Sequence, residues 1–106
     1  MKMYAEYCKE MYGRDVLVDE HGFIVYKLYE DNSLYIHAIY VDKEKRQKGY
    51  GRYLEEKIIN KEKASSVYCY VDLTTDNPEL SLKSILMGGY TVHSSNSETI
   101  VLKKDL

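Results

Sequence analysis

The sequence predicts a single domain of the α+β class, with a mixed β-sheet built from hairpins and one parallel crossover. Apolar residues near the N-terminus recur at helical spacing, which indicates an amphipathic helix. Two runs rich in β-branched and aromatic residues then follow each other across the turn Asp31-Asn32-Ser33, as in an antiparallel hairpin. A strand, a loop with two glycines, a helix and another strand come next, and this order predicts a parallel crossover. A chain of 106 residues is expected to form one domain over positions 1–106.

The elements can be placed from residue periodicity and from the positions of glycine, proline and asparagine. In chain order they are a helix over Lys2–Tyr12, strands over Asp15–Val18, Gly22–Glu30 and Leu34–Val41, a helix over Tyr50–Lys63, a strand over Ser66–Leu73, a helix over Pro78–Met87, and a final hairpin of Tyr90–Ser95 and Glu98–Lys103. In the second helix, Leu54 and Ile58 are expected to face the core and Glu55 to face water. Asn77 is expected to cap the third helix with its side chain, in front of Pro78.

Composition and charge exclude several classes of protein. Apolar residues make up 44% and charged residues 30% of the chain, which is typical of a folded globular domain. The net charge of −2 provides no overall field for nucleic acid, so a nucleic-acid partner is not expected. No apolar run reaches transmembrane length, and the first residues carry charges rather than a secretory apolar segment, so we expect a cytoplasmic protein without a membrane partner. The two cysteines are far apart and the three histidines are isolated, so no metal site is predicted.

The stretch from Val41 to Arg52, VDKEKRQKGYGR, predicts an anion-binding turn. It leaves a strand and enters a helix whose first N–H groups lack an intrahelical partner and lie at the positive end of the helix dipole. Gly49 and Gly51 allow the backbone to approach a phosphate without an intervening Cβ. Glycine-rich turns between a strand and a helix also bind dinucleotides and other phosphates, so the loop alone does not identify the ligand.

Arg46-Gln47-Lys48-Gly49-Tyr50-Gly51 resembles the R-x-x-G-x-G pyrophosphate loop of the GNAT superfamily, the acetyl-CoA-dependent N-acyltransferases. The resemblance includes Val41, five residues before the arginine, and Gly89-Tyr90 after a short helix, where the family usually has Gly-Phe. It covers roughly Gly22 to Leu106. It implies a twisted, mixed and mostly antiparallel sheet with helices on both faces, acetyl-CoA as co-substrate, no metal, and an amine as acceptor.

The resemblance also implies which residues bind acetyl-CoA. Backbone N–H groups of the loop would surround the pyrophosphate, cationic side chains would add charge-assisted contacts, and the backbone of the preceding strand would pair with the pantetheine arm. The residues expected to bind the cofactor are Ile39, Tyr40, Val41, Arg46, Gln47, Lys48, Gly49, Tyr50, Gly51, Arg52 and Asn77. Pairing with pantetheine requires the two parallel strands to diverge, which the sequence does not reveal.

Tyr35 and His37 are the expected catalytic residues, because the family often places a base at one of these two positions before the valine. Strand alternation puts both side chains on one face with Ile39 and Val41. His37 can accept a proton near neutral pH and is the predicted base, while Tyr35 would orient the amine. A histidine that makes only a structural hydrogen bond on the sheet face is an alternative of about equal weight.

Two departures from the family pattern bear on catalysis. Ile85 stands where the family usually has a tyrosine that protonates the leaving thiolate, so the acid would come from another element or from water, or catalysis would be weak or absent. A single helix precedes Asp15, where the family usually has a strand and two helices that shape the acceptor site. The acceptor cleft is therefore expected to be open, or to be completed by the second subunit of a homodimer or by the substrate.

The leading functional prediction is an N-acetyltransferase, in which an amine of a protein or a small molecule attacks acetyl-CoA directly. The alternative is an acetyl-CoA-binding or inhibitory interaction module with little or no catalysis, which Ile85 favours. A third hypothesis is single-stranded nucleic-acid binding through the basic loop and the rings of Tyr50 and Tyr53, which the net negative charge disfavours.

Overall fold

The structure, a computed structural model, describes residues 2–106 and places three helices and six strands among them. In chain order these are α1 (Lys2–Tyr12), β1 (Asp15–Val18), β2 (Gly22–Leu28), β3 (Ser33–Val41), α2 (Tyr50–Glu62), β4 (Ser66–Asp72), α3 (Pro78–Met87), β5 (Thr91–Ser95) and β6 (Thr99–Asp105), with a single 3-10 turn at Lys43–Lys45. Every predicted element is present, and the predicted ends differ from the observed ends by at most two residues. Over these residues, no helix is long and apolar enough to cross a membrane.

The six strands form one sheet in the order β1-β2-β3-β4-β6-β5. Neighbouring strands are antiparallel except β3 and β4, which run parallel and are connected through α2. The predicted mixed and mostly antiparallel sheet is therefore confirmed. The parallel pair lies in the middle of the sheet, so the loop between β3 and α2 lies beside the centre of the molecule.

One face of the sheet, here called the core face, carries the hydrophobic core and is covered by α2 and α3. Leu34 and Leu102 project from this face and are 0% exposed. Leu54 and Ile58 of α2 pack against them and are also 0% exposed, as their helical spacing predicted. Burying a leucine or isoleucine side chain of this kind contributes roughly 1.5–3 kcal/mol. These contacts fix α2, and with it the loop at its N-terminus, against β2 and β3.

The opposite face of the sheet, here called the open face, is covered by α1 at its β1–β2 edge. Tyr4 of α1 lies edge-on to Phe23 of β2, with ring centroids 5.7 Å apart. Helices thus lie on both faces, as predicted. Over the centre of the open face, Tyr70 of β4 is 46% exposed, so this part of the sheet is accessible to a ligand.

Glu55 of α2 corrects a prediction, because it does not face water. Its carboxylate accepts a hydrogen bond from the Tyr90 hydroxyl at 2.6 Å and pairs with the Lys104 ammonium at 3.2 Å. Burial, followed by the hydrogen bond to Glu55, raises the pKa of Tyr90 well above its usual range. Helical periodicity placed Glu55 beside exposed Glu56, but it does not show that β6 brings Lys104 over this side of the helix.

Asn77 also differs from its predicted role. Its backbone is left-handed, with φ of 54°, and its side chain makes no capping hydrogen bond to residues 2–106. The usual cap conformation is extended, which lets the side chain reach back to the first N–H groups of the helix. Here the helix start depends instead on Pro78, whose fixed φ suits the first helical position.

Gly22 permits β2 and β3 to meet at the open end of their hairpin. A Cβ at this position would lie 1.9 Å from the Tyr40 carbonyl oxygen, which belongs to the backbone and cannot move aside cheaply. We expect Gly22→Ala to lower the free energy of unfolding by about 1–3 kcal/mol or more, because the strands must shift apart. Urea unfolding followed by circular dichroism measures this change. Gly51→Ala is the matched control, since its Cβ would first meet Ile39 at 3.9 Å, and equal stability of the two variants would contradict the steric account.

Candidate active site

A cleft opens between β3 and β4, because these parallel strands diverge after a short paired segment. In the described part of the chain, Ser33–Tyr35 pair with Ser66–Tyr68, and the backbone pairing of the two strands ends there. The resulting cavity has a volume of about 750 Å³ and is lined by both strands, the loop before α2, and parts of α2 and α3. The strand divergence that the sequence could not reveal is therefore present.

The edge of β3 that faces the cleft carries backbone groups that no neighbouring strand of the described chain pairs with. On its other side, β3 pairs with β2 as far as the pair Gly22–Val41. On the β4 side, the backbone from Ile36 to Val41 has no strand partner among residues 2–106. Free N–H and C=O groups on a strand edge pair readily with an extended ligand that carries amides.

A β-bulge at His37 changes which side chains of β3 share a face. The flanking cross-strand pairs are Val25 with Ala38 and Tyr26 with Ile36. His37 is therefore an extra residue in β3, and Tyr35 and Ile39 lie on opposite faces of the sheet. The prediction that Tyr35 and His37 share a face with Ile39 and Val41 is wrong. It assumed regular alternation of side chains along β3, which the extra residue of the bulge interrupts.

His37 lies in the wall of the cleft and is half-buried. Its ring centroid is 6.4 Å from that of Tyr70 on β4. Burial lowers the pKa of His37, and the positive charges of Arg14 and Lys27 lower it further. The imidazole is therefore neutral at pH 7 and has a free lone pair that can accept a proton.

Tyr35 lies on the open face, beside the point where β3 and β4 still pair. Its ring stacks on that of Tyr68, with centroids 4.6 Å apart and an interplanar angle of 6°. It is also edge-on to Tyr29 at 4.9 Å, and burial raises the pKa of its hydroxyl. The cleft walls given by the described residues do not include Tyr35, which lies on the open face two residues before His37.

Tyr70 is a cleft residue that the sequence analysis did not single out. It lies on β4 opposite the bulge, and its hydroxyl donates a hydrogen bond to the His37 carbonyl oxygen at 3.4 Å. The hydroxyl is thus a proton donor on the accessible side of the cleft, beside the predicted base. Alternation along β4 shows that Tyr68 and Tyr70 share a face, but only the divergence of the strands shows that Tyr70 reaches the cleft.

The loop before α2 presents its backbone to the mouth of the cleft. Gln47 and Gly49 have left-handed conformations, with φ of 64° and 86°. A Cβ on Gly49 would meet no atom of residues 2–106 within 4 Å, so this position borders open space. The first intrahelical bond runs from the Tyr53 N–H to the Gly49 carbonyl at 3.0 Å. The N–H groups that precede it, at the positive end of the helix dipole, can therefore bind an anion.

The cationic side chains of the loop differ in their contacts with the rest of the protein. Arg46 donates from Nε to the Val41 carbonyl oxygen at 3.0 Å, and its guanidinium lies 5.3 Å from the centre of the Tyr40 ring. Arg46 therefore joins the loop to the end of β3. Lys48 and Arg52 are exposed and have no carboxylate within ion-pair distance in the described chain. They are available to a polyanionic ligand.

The structure brings together some of the predicted cofactor-binding residues and leaves others apart. Those that line the cleft are Ile39, Val41, Arg46, Gln47, Gly51 and Arg52. Gly49 and Tyr50 belong to the adjoining turn, and the Tyr50 ring stacks on His21 with centroids 3.7 Å apart. The side chain of Tyr40 lies on the open face, stacked on Phe23. Asn77 is exposed and lies outside the cleft walls formed by residues 2–106.

The third helix closes one side of the cleft without supplying a phenol. Ile85 packs against the hydrophobic core and lines the cleft, together with the hydroxyl-bearing Ser81 and Ser84. Cys69 also lines it, but burial, followed by the charge of Glu55, raises the pKa of its thiol to about 12. The thiol is therefore protonated and unreactive. No cluster of potential metal ligands occurs within residues 2–106.

Comparisons with known proteins agree with this geometry. Residues 5–81 match the family model described as "Acetyltransferase (GNAT) family". PaiA N-acetyltransferase from Thermoplasma acidophilum, solved in complex with coenzyme A, has 20% identity and a TM-score of 0.70, over 99% of this chain and 70% of that one. Ard1 from Thermoplasma volcanium has 16% identity and a TM-score of 0.68, and the match covers 100% of this chain and 80% of that one. A Bacillus subtilis acetyltransferase solved with CoA has 16% identity and a TM-score of 0.65, and the match covers 95% of this chain and 83% of that one. A search of curated proteins found no significant match.

Proposed function

The chain belongs to the GNAT acetyltransferase family, and on that premise we propose that it transfers the acetyl group of acetyl-CoA to an amine. The observation that carries the proposal is the divergence of β3 and β4 directly beside a glycine-containing helix N-terminus. This arrangement offers a long ligand a strand edge for its amides and a cluster of N–H groups for its phosphates.

The residues present fit coenzyme A at each end of the cleft. The open space at Gly49 and the N–H groups of the first turn of α2 suit a pyrophosphate, and exposed Lys48 and Arg52 suit its negative charges. The free edge of β3 from Ile36 to Val41 suits the two amides of a pantetheine arm. Two solved proteins of similar fold were crystallised with CoA, which supports the same ligand here.

The geometry also supports a direction for the ligand. The phosphates would lie at the C-terminal end of β3, where the loop begins, and the cleft closes where Tyr35 pairs with Tyr68. A ligand that follows β3 inward therefore ends near His37 and Tyr70. Because α2 and α3 cover the core face, the acceptor amine would approach from the open face, which is accessible at Tyr70.

His37 and Tyr70 are the groups we propose for proton transfer. Acetyl-CoA supplies the activated acetyl thioester. His37, held neutral by burial, would remove a proton from the amine so that the nitrogen lone pair is free to attack. Tyr70 would donate its hydroxyl proton to the departing sulfur, in place of the tyrosine that Ile85 replaces. Free backbone N–H groups of β3 between Ile39 and Val41 would stabilise negative charge on the carbonyl oxygen.

A binding module without efficient catalysis is the second candidate, and Ile85 is the observation that favours it. Ile85 occupies the cleft wall with an apolar side chain that cannot protonate a thiolate. If Tyr70 does not replace that function, the chain would bind acetyl-CoA and turn it over slowly.

Turnover distinguishes the two candidates. The purified chain is incubated with acetyl-CoA and, in separate reactions, small amines and peptides with free N-termini, and both free CoA and acetylated product are measured by mass spectrometry. A transferase forms product and CoA in equal amounts, faster than the same mixture without protein. Binding of acetyl-CoA with no acetylated product from any amine would favour the module.

Gly49 and Lys48 provide a test of the phosphate site. We expect Gly49→Val to weaken acetyl-CoA binding about tenfold or more, because the side chain would fill the open space that lets a phosphate approach this backbone. Lys48→Ala removes one solvent-screened charge and should weaken binding only a few-fold. Calorimetric titration of each variant measures the affinities, with unfolding curves as a check on the fold. Small and equal effects would mean that the phosphates do not contact this backbone.

A further inference from the structure

Two half-buried cations on the open face have no hydrogen-bonding or ion-pair partner among residues 2–106. Among residues 2–106, five cationic side chains are half-buried: Arg14, Lys27, Lys45, Lys103 and Lys104. Three of the five have polar partners: Lys45 donates to the Glu20 carbonyl, Lys103 pairs with Asp105, and Lys104 pairs with Glu55. In the described chain, Arg14 and Lys27 contact only aromatic rings through their charged groups, at 5.1 Å from Tyr12 and 5.0 Å from Tyr29. A cation without a counter-ion among the described residues is available to pair with an anion from outside.

The two cations come from neighbouring segments of the chain's open face, near the predicted base. The Lys27 ammonium is 3.8 Å from the position that a Cβ on Gly13 would occupy, and Gly13 is the neighbour of Arg14 in the chain. Lys27 pairs across the strands with Tyr35, so it projects from the open face two residues from the bulge. The positive charges of both side chains lower the pKa of the His37 imidazole. The positive charge is therefore directed at the acceptor side of the cleft.

No carboxylate of residues 2–106 lies within ion-pair distance of Arg14 or Lys27, although Glu30 and Asp31 line the same depression as Lys27. Asp15, adjacent to Arg14, is paired with Lys9 at 3.2 Å. Asp31, beyond Tyr29, accepts hydrogen bonds from the backbone and hydroxyl of Ser33. An anion from outside would be attracted by both cations, whereas an additional cation would be repelled.

We propose that Arg14 and Lys27 form an anion subsite that binds a carboxylate carried by the acceptor, close to the amine that reaches His37. The inference rests on the proposed acetyl transfer and names its acceptor class. The acceptor is then a free amino acid, or a peptide with an acidic side chain next to its N-terminal amine. Both sources present the same chemistry, an ammonium and a carboxylate a few bonds apart. Polyamines, which carry a second positive charge, would be poor acceptors.

Matched acceptor pairs test the subsite. Glycine is compared with glycinamide, and a peptide beginning Ser-Glu with one beginning Ser-Gln, in acetylation assays of the intact chain. In the pair that is acetylated, we expect kcat/KM to be about tenfold higher for the acceptor that carries the carboxylate, because one hydrogen bond to a charged group contributes about this much. Glycinamide has the less basic amine, so the first pair is biased against this result. A preference in the glycine pair identifies a small acceptor, and a preference in the peptide pair alone identifies an N-terminus.

Charge variants connect the preference to these residues. Lys27→Met should abolish the preference, and Arg14→Gln should reduce it and serves if Lys27→Met does not fold. Lys103→Met is the matched control, because Lys103 lies on the open face but is paired with Asp105, and it should keep the preference. Equal rates within both pairs, or an equal fall for both members in Lys27→Met, would overturn the proposal.

A binding measurement separates this proposal from the transferase proposal. The protein saturated with CoA is titrated with N-acetylglycine and N-acetylglycinamide, and chemical-shift changes report the affinities. Tighter binding of the carboxylate by about tenfold, lost in Lys27→Met, would support the subsite even if no amine is acetylated. Equal affinities would overturn it, even if acetyl transfer is efficient.

Discussion

Replacing His37 with glutamine is expected to lower kcat/KM for acetyl transfer by about 10²–10⁴-fold, the usual contribution of a positioned base. The amine must lose a proton before its nitrogen can attack, and His37 is the neutral imidazole in the cleft wall. Glutamine keeps a similar size and some hydrogen bonding but cannot accept the proton. Acetyl-CoA affinity should change little, because the side chain does not belong to the loop. Initial rates and a calorimetric titration of the same preparation measure the two quantities.

The pH profile provides a second result from the same variant. Since the base must be neutral, kcat/KM should rise with pH through an inflection and then level off. Burial lowers the pKa of His37, so the inflection should lie below the ordinary histidine value of about 6.5. His37→Gln should remove the inflection, and His93→Gln, an exposed histidine on β5, should retain it. Full activity with an unchanged profile in His37→Gln would show that the histidine is structural.

Replacing Tyr70 with phenylalanine is expected to lower kcat by about 10²-fold, the lower end of the range for proton transfer by a positioned group. The substitution removes one hydroxyl and keeps the ring beside His37. The thiolate that leaves would then take its proton from water. Because the hydroxyl would act on the departing sulfur, the loss should appear in kcat rather than in the affinity for acetyl-CoA.

Tyr68→Phe is the matched control for this change. Tyr68 lies on the same strand and the same face, but its ring stacks on Tyr35 and it is not part of the cleft wall over residues 2–106. Steady-state kinetics of both variants should therefore separate them by about 10² in kcat. Equal kcat values would assign the acid to water and would favour the binding-module alternative.

The fold was predictable because its determinants are local. Apolar spacing in α2 identifies Leu54 and Ile58, and the turn at Asp31-Asn32-Ser33 separates two strands that pair as neighbours. Each element has one apolar face or stripe, and a short chain has few ways to bury all of them. The predicted anion loop depends on the same local information, since Gly49 and Gly51 lie where a strand is followed by the first turn of a helix.

The site was less predictable because it depends on contacts between distant segments. The bulge at His37 arises in pairing with β2 and reverses the face of Tyr35, which no count along β3 reveals. Tyr70 reaches the cleft because β4 diverges from β3. Arg14, before β1, and Lys27, on β2, influence His37 on β3 only once these strands pair into a sheet. Glu55 is buried by a strand that begins over forty residues later.

The central claim, that acetyl-CoA binds between β3 and β4 with its phosphates at the loop, is tested most directly by thermal unfolding with ligand. A ligand at one hundred times its dissociation constant stabilises the folded state by about 2.7 kcal/mol, which in a domain of this size raises Tm by about 10 °C or more. We expect acetyl-CoA and CoA to raise Tm in this way, and ATP at the same concentration, which lacks the pantetheine arm, to raise it much less. An unchanged Tm at millimolar acetyl-CoA, or an equal shift with ATP, would contradict the account.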